Sequence, residues 1–138
     1  ETRRLCGAPG RRDHSPAVHP AGKVVAYCSA RDGWDQLCLV GLDGSGERAL
    51  TNEAADFSEP AWRPDGKALA AVRTRAGRGD LVLVDAADGA VTRLAPGGVW
   101  SRPQWVEGGA LAAVHEDHRT APRLVRIEPG GEKREAFF

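Results

Sequence analysis

The chain has 138 residues, the size of one domain able to bury about two thirds of its unfolded surface. Lysine and arginine number 19 and aspartate and glutamate 19, so the formal net charge is zero and nothing supplies the field that attracts nucleic acid or an anionic membrane; neither is an expected partner. The longest apolar runs, such as ALAAV and LVLV, have the length of a strand and fall far short of the ~18 residues of a membrane span.

The first element in chain order is Thr2 to Cys6, TRRLC, which resembles two later stretches, Glu47 to Thr51 (ERALT) and Val91 to Ala95 (VTRLA). Next comes Pro16 to Tyr27, PAVHPAGKVVAY, which returns as Pro60 to Val72, PAWRPDGKALAAV, and as Pro103 to Val114, PQWVEGGALAAV. Leu37, Leu81 and Leu124 recur at intervals of 44 and 43 residues, and Trp62 and Trp105 lie 43 apart. Short strands repeating with a period in the forties are the mark of propeller blades of four strands each.

One period reads consistently. A short strand carries Pro-x-Trp, a turn follows at Pro64-Asp65-Gly66, and then come strands over Ala68 to Val72, Leu81 to Asp85 and Val91 to Ala95, the last two joined by a turn at Asp88-Gly89. Pro64 presets φ, Asp65 bonds the backbone ahead of it, and Gly66 accepts positive φ. A proline inside a strand forfeits a ladder donor, so Pro16, Pro60 and Pro103 belong on an edge, the innermost strand of each blade. Trp62 and Trp105 then fill the space between adjacent sheets and are scaffold.

The expected fold is all-β: a β-propeller fragment of about three four-stranded antiparallel blades over residues 14–52, 57–96 and 101–138, with an orphan N-terminal outer strand of a preceding blade over residues 1–7 and a closing outer strand over Glu132 to Phe137. Closed propellers hold roughly four to eight blades. A bare terminal face of about 400 Å² at roughly 25 cal/mol per Å² forgoes about 10 kcal/mol, comparable to the whole stability of a domain. Missing blades of a longer product, or a second copy, are therefore expected partners.

FSEPAWRPDGKALAAV, together with SARDGWDQLCLVGLDGSGERALT, resembles the TolB-type propeller repeat over nearly the whole chain. That repeat is shared by periplasmic TolB-like proteins and by the propeller domains of the prolyl oligopeptidase family. The third copy, VHEDHRTAPRLVRIEPGGEKREAF, is similar to the closing blade of acylaminoacyl-peptidase-like members, with Glu116, Pro122 and Leu124 at the matching places. This second resemblance implies the non-catalytic propeller of a serine peptidase, which caps the active site and selects small peptides. Its partners would be an α/β-hydrolase domain of the same parent chain and a peptide substrate. The alternative is a TolB-like periplasmic interaction propeller without enzymatic activity.

No catalytic residue is assigned, because Asp43-Gly44-Ser45-Gly46 lacks the spacing and the helix of a nucleophile elbow. No cofactor or metal is expected: Cys6, Cys28 and Cys38 form no CxxC, and in His115-Glu116-Asp117-His118 strand alternation separates the side chains. Cys28 and Cys38 could fall on neighbouring strands, which leaves a disulfide open. Three loops, Ser29 to Asp35, Thr74 to Asp80 and the one after Val114, should share a rim, and Trp34, Arg75, His115 and His118 are its candidate contact residues. The location expected from the free cysteines and zero charge is the cytoplasm, or the periplasm if the chain is TolB-like.

Overall fold

A computed structural model describes residues 1–131 and 133–135. Among them run β1 (Asp13–Val18), β2 (Val24–Arg31), β3 (Trp34–Gly41), β4 (Arg48–Ala49), β5 (Asp56–Trp62), β6 (Ala68–Arg75), β7 (Arg78–Asp85), β8 (Val91–Pro96), β9 (Val99–Trp105), β10 (Leu111–Asp117), β11 (Thr120–Ile127) and β12 (Lys133–Glu135). They form three four-stranded antiparallel sheets in chain order, β1 to β4, β5 to β8 and β9 to β12. This is the expected fragment of a propeller with about three blades. Of the closing strand expected over Glu132 to Phe137, positions 132, 136 and 137 lie outside the described residues.

The turn chemistry holds residue by residue. Gly66 adopts φ 70° and donates its N–H to Arg63 O (2.8 Å), while Asp65 Oδ1 accepts the Lys67 N–H (2.9 Å). The prolines sit on edge strands β1, β5 and β9, each at a register shift. The residue before each proline, Ser15, Glu59 and Arg102, has φ between 52° and 54°. Each innermost strand thus carries one bulge at one place, where left-handed backbone re-aims the chain.

The sheets pack face to face. In the first seam Ala26, Cys28, Leu37 and Leu39 meet Phe57, Leu69, Ala71, Val82 and Val84, with Leu50 between them. In the second seam Ala70, Val72 and Leu81 meet Trp100, Leu111, Ala113, Val125 and Ile127. Alanines on the middle strands let the sheets approach, and Phe57 and Trp100 plug the space that remains. Trp62 Nε1–H donates to Ala17 O and Trp105 Nε1–H to Ala61 O, both at 2.9 Å. Each tryptophan therefore ties its blade to the innermost strand of the blade before it, the scaffold role expected of it.

The opening segment, expected as an outer strand over residues 1–7, differs from that expectation: it forms no strand and joins no sheet. Its position is nevertheless that of an outer strand. Leu5 and Cys6 pack on Val25, Tyr27, Cys38 and Val40, the face of the first sheet equivalent to the one Leu50 covers on the second. The Arg3 guanidinium donates to Asp43 O (2.6 Å) as Arg48 does to Ala86 O (2.8 Å). Leu5 O approaches Gly44, Leu50 O approaches Gly89, and Leu94 O approaches Gly131, one contact repeated three times.

Cys28 and Cys38 do lie on neighbouring strands, but their Cα partners are Leu37 and Tyr27. They point to opposite faces, one into each core, and both thiols are free. Burial pushes the Cys28 thiol up to about 12.

Candidate functional site

The hairpins β2–β3, β6–β7 and β10–β11 all join second to third strands and so lie at one end of the sheets. Two of them turn tightly on positive φ, at Asp32-Gly33 and Ala76-Gly77. Trp34 stands at the first, 37% exposed. Arg75 stands at the second, its Nη2 3.5 Å from Glu53 Oε2. His118 is exposed at the third, where its Nε2 accepts from Arg119 Nε (3.1 Å).

His115 is placed differently from its three companions. It is 8% exposed, its ring lies 4.2 Å from that of Trp100, and its Nε2 is 3.1 Å from Gly97 O. It closes the seam beneath the rim, with a small part of its ring still at the surface there. Among the described residues no three of His, Cys, Asp and Glu converge as metal ligands. Asp117 spends its Oδ1 on the N–H groups of Arg119 (2.8 Å) and Thr120 (2.9 Å), and the Arg119 N–H above all holds its carboxyl below the usual range.

The two stretches that link one blade to the next across this rim differ. Between the first two sheets, Gln36 Nε2 donates to Glu53 O (2.7 Å) and Gln36 Oε1 accepts the Glu53 N–H (3.2 Å), fixing Glu53 in place. The Glu53 carboxylate then pairs with Arg73 (3.1 Å), which also holds Asp80 (3.1 Å). Between the second and third sheets the link is one residue shorter, and Gly97, φ 77°, occupies the place of Glu53. A cleft of about 790 Å³ opens there, lined by Arg78, Gly97, Gly98, His118 and Arg123 among others. Neither Glu53 nor Arg123 stood out in the sequence; the unequal spacing of Leu50 to Phe57 and Leu94 to Trp100 was the signal that could have found them.

The three-sheet architecture, with its tryptophan ties and repeated turns, agrees with what comparison with known proteins finds. A family model described as TolB beta propeller domain matches residues 2–135. The chain belongs to that family. It is 40% identical over 53 residues to the Tol-Pal system protein TolB of Azoarcus sp. (strain BH72), a match covering 38% of this chain and 12% of that protein. Among solved structures it is similar to TolB from Acinetobacter baumannii, with TM-score 0.78 and 22% identity over 92% of this chain and 32% of that one. It is also similar to a puromycin-hydrolyzing peptidase of Mycobacterium tuberculosis, with TM-score 0.80 and 19% identity over 96% of this chain and 22% of that one. The chain thus matches a minor part of each of these proteins, and at these identities the structural likenesses establish the fold alone.

Proposed function

We propose that the chain is a section of a TolB-like interaction propeller that works in the periplasm within a Tol-Pal-type assembly and performs no chemistry of its own. The observation that carries this reading is the sequence match of 40% to a protein of that system, set against a peptidase likeness that is one of fold at 19% identity. The rim adds support: rigid hairpins hold an exposed tryptophan and several charged side chains at one end, where propeller-type scaffolds recruit partners.

A second reading is the propeller of a prolyl-oligopeptidase-family serine peptidase, which caps the active site. It is favoured by the TM-score of 0.80 and by Glu116, Pro122 and Leu124, which strand alternation and the pairing of Leu124 with Val114 place on the outer face of the third sheet. The test is reversible cross-linking of the intact protein in cells, followed by purification, alongside labelling with a fluorophosphonate that reacts with serine hydrolases. A co-purifying envelope protein and no label is the expected result. A fluorophosphonate adduct on the same polypeptide would overturn the interaction reading and establish the second.

A further inference from the structure

We propose that a pocket of about 310 Å³ between the second and third sheets, at the end away from the rim, binds a single aromatic ring that carries an N–H or O–H donor. Its walls are Leu83 and Leu94 of the second sheet and Trp105, Leu111 and Ile127 of the third, and the Gly108-Gly109 turn borders it. At the first seam the chain fills the same place with a ring of its own. His19, which leads into the β1–β2 turn as Arg63 leads into the β5–β6 turn, stands edge-on to Trp62 with ring centroids 4.6 Å apart. The Ala21 N–H donates to its Nδ1 (3.0 Å), so the ring proton is on Nε2, which donates to Gly66 O (3.2 Å). Arg48 adds a second closure by donating to Ala86 O (2.8 Å).

Neither closure recurs at the second seam. Asp65 stands where the first blade has Ala21, and its carboxylate draws Arg63 back onto its own turn, with Nε and Nη2 both held at 2.9 Å. The place of Arg48 is taken by Thr92, since each pairs with the corresponding leucine, Leu39 or Leu83, and threonine is too short to cross the seam. The framework is otherwise the same, with Trp62 and Trp105 each bonded to the innermost strand of the blade before. Burial records the difference. Leu39 and Leu50 are 6% and 7% exposed, whereas their equivalents Leu83 and Leu94 are only half-buried. A Cβ on Gly66 would strike His19 Nε2, while one on Gly108 meets nothing within 4 Å.

The chemistry that remains suits the kind of group His19 supplies. Apolar walls and an indole meet an exposed glycine turn whose carbonyls can accept a donor. Both charges at the edge are answered within the chain, Arg63 by Asp65 (2.9 Å) and Glu128 by Arg126 (2.7 Å), so the site selects a neutral ring. The volume is at the small end for a ligand pocket, enough for one ring and not for a larger molecule. An edge-to-face contact with Trp105 would add to the burial of such a ring.

The pocket lies between two sheets of this chain, so the site is independent of either reading of the parent protein. The amide and indole N–H resonances of the ¹⁵N-labelled full-length protein are followed at pH 8, where an imidazole is neutral, during titration with three probes: imidazole, 1-methylimidazole, which lacks the N–H, and the blocked tripeptide Gly-His-Gly. Saturable shifts at the Trp105 indole and at the Gly108 and Gly109 amides are expected, with 1-methylimidazole about fivefold weaker for the lost hydrogen bond. Arg63→His should supply the chain's own ring, as His19 does at the first seam, and abolish the shifts. His19→Ala should open the first seam and add a second set of shifts at the Trp62 indole and Gly66. If one variant fails to fold, the other decides. Tripeptide binding at least fivefold tighter than that of imidazole assigns the site to a side chain of a partner protein, and equal or weaker binding assigns it to a free ring compound. No saturable shift at these residues, equal binding of imidazole and 1-methylimidazole, or binding unchanged by the substitutions would overturn the proposal.

Discussion

Gly89 tests whether the repeated contact between an outer strand and the next blade's turn holds the sheets together. It closes the β7–β8 turn at φ 75°, and a Cβ built there would lie 1.9 Å from Leu50 O of the neighbouring sheet. Alanine at this position meets two costs. The left-handed backbone costs an L-residue about 1 kcal/mol. The contact must also open by more than 1 Å to reach the 3.0 Å that real Cβ atoms respect, and the Leu50 carbonyl cannot retreat freely because Leu50 N–H is bonded to Leu37 O (2.7 Å) and its side chain is in the core. Forcing a packed seam apart costs about 1–3 kcal/mol, so Gly89→Ala should lose about 2–4 kcal/mol by the sum of the two. Gly33→Ala is the control: its φ is 86° with nothing within 4 Å, so it bears only the backbone cost. Equilibrium urea unfolding followed by tryptophan fluorescence measures both. Equal losses in the two variants would refute the claim that Leu50 against Gly89 locks the seam.

Three further outcomes follow from the same geometry. Trp62→Ala should destabilise by about 2–3 kcal/mol, less than truncation of a fully buried aromatic because Trp62 is half-buried against the core, and Trp62→Phe by about 1 kcal/mol for the lost donor to Ala17 O; urea midpoints check both, and a neutral Trp62→Ala would remove the scaffold role. Of the three thiols, Cys6, half-buried at the edge, should react with iodoacetamide at pH 8 under native conditions while Cys28 stays unmodified, as peptide mass spectrometry would read. The Glu47 carboxyl is held below its ordinary value of about 4.3 by the Tyr27 hydroxyl first, at 2.6 Å, and then by Arg11. A lowered folded value favours the native state above the ordinary value and loses that stability as the pH falls through the folded value, so the melting temperature should drop as pH falls below about 4.3, and Glu47→Gln should make that drop shallower.

What the sequence made legible was whatever the chain settles locally and then repeats. Pro64-Asp65-Gly66 is a turn wherever it occurs, a proline in a strand needs an edge, and Leu5, Leu50 and Leu94 return at blade intervals because each covers the next sheet. What stayed hidden depended on single-residue differences. Cys28 and Cys38 miss each other by one step of register, which in a strand means opposite faces. The rim cleft exists because one link is a residue shorter than its counterpart. The seams show a further reason why position-by-position reading fails. Phe57 and Trp100 plug the second and third sheets from their innermost strands, in the same cores as Ala71 and Ala113. At the first sheet the equivalent of these plugs is Asp13, which pairs with Arg11 and accepts from Ser29 Oγ (2.6 Å), and the equivalent of the alanines is Tyr27, 4% exposed, with its hydroxyl on Glu47. The aromatic volume is kept but moved to the adjacent strand, and its polar tip brings a network of Glu47, Arg11 and Arg31 onto the face. A seam constrains the total volume of two facing positions, so a substitution in one copy carries its meaning only together with the residue it packs beside.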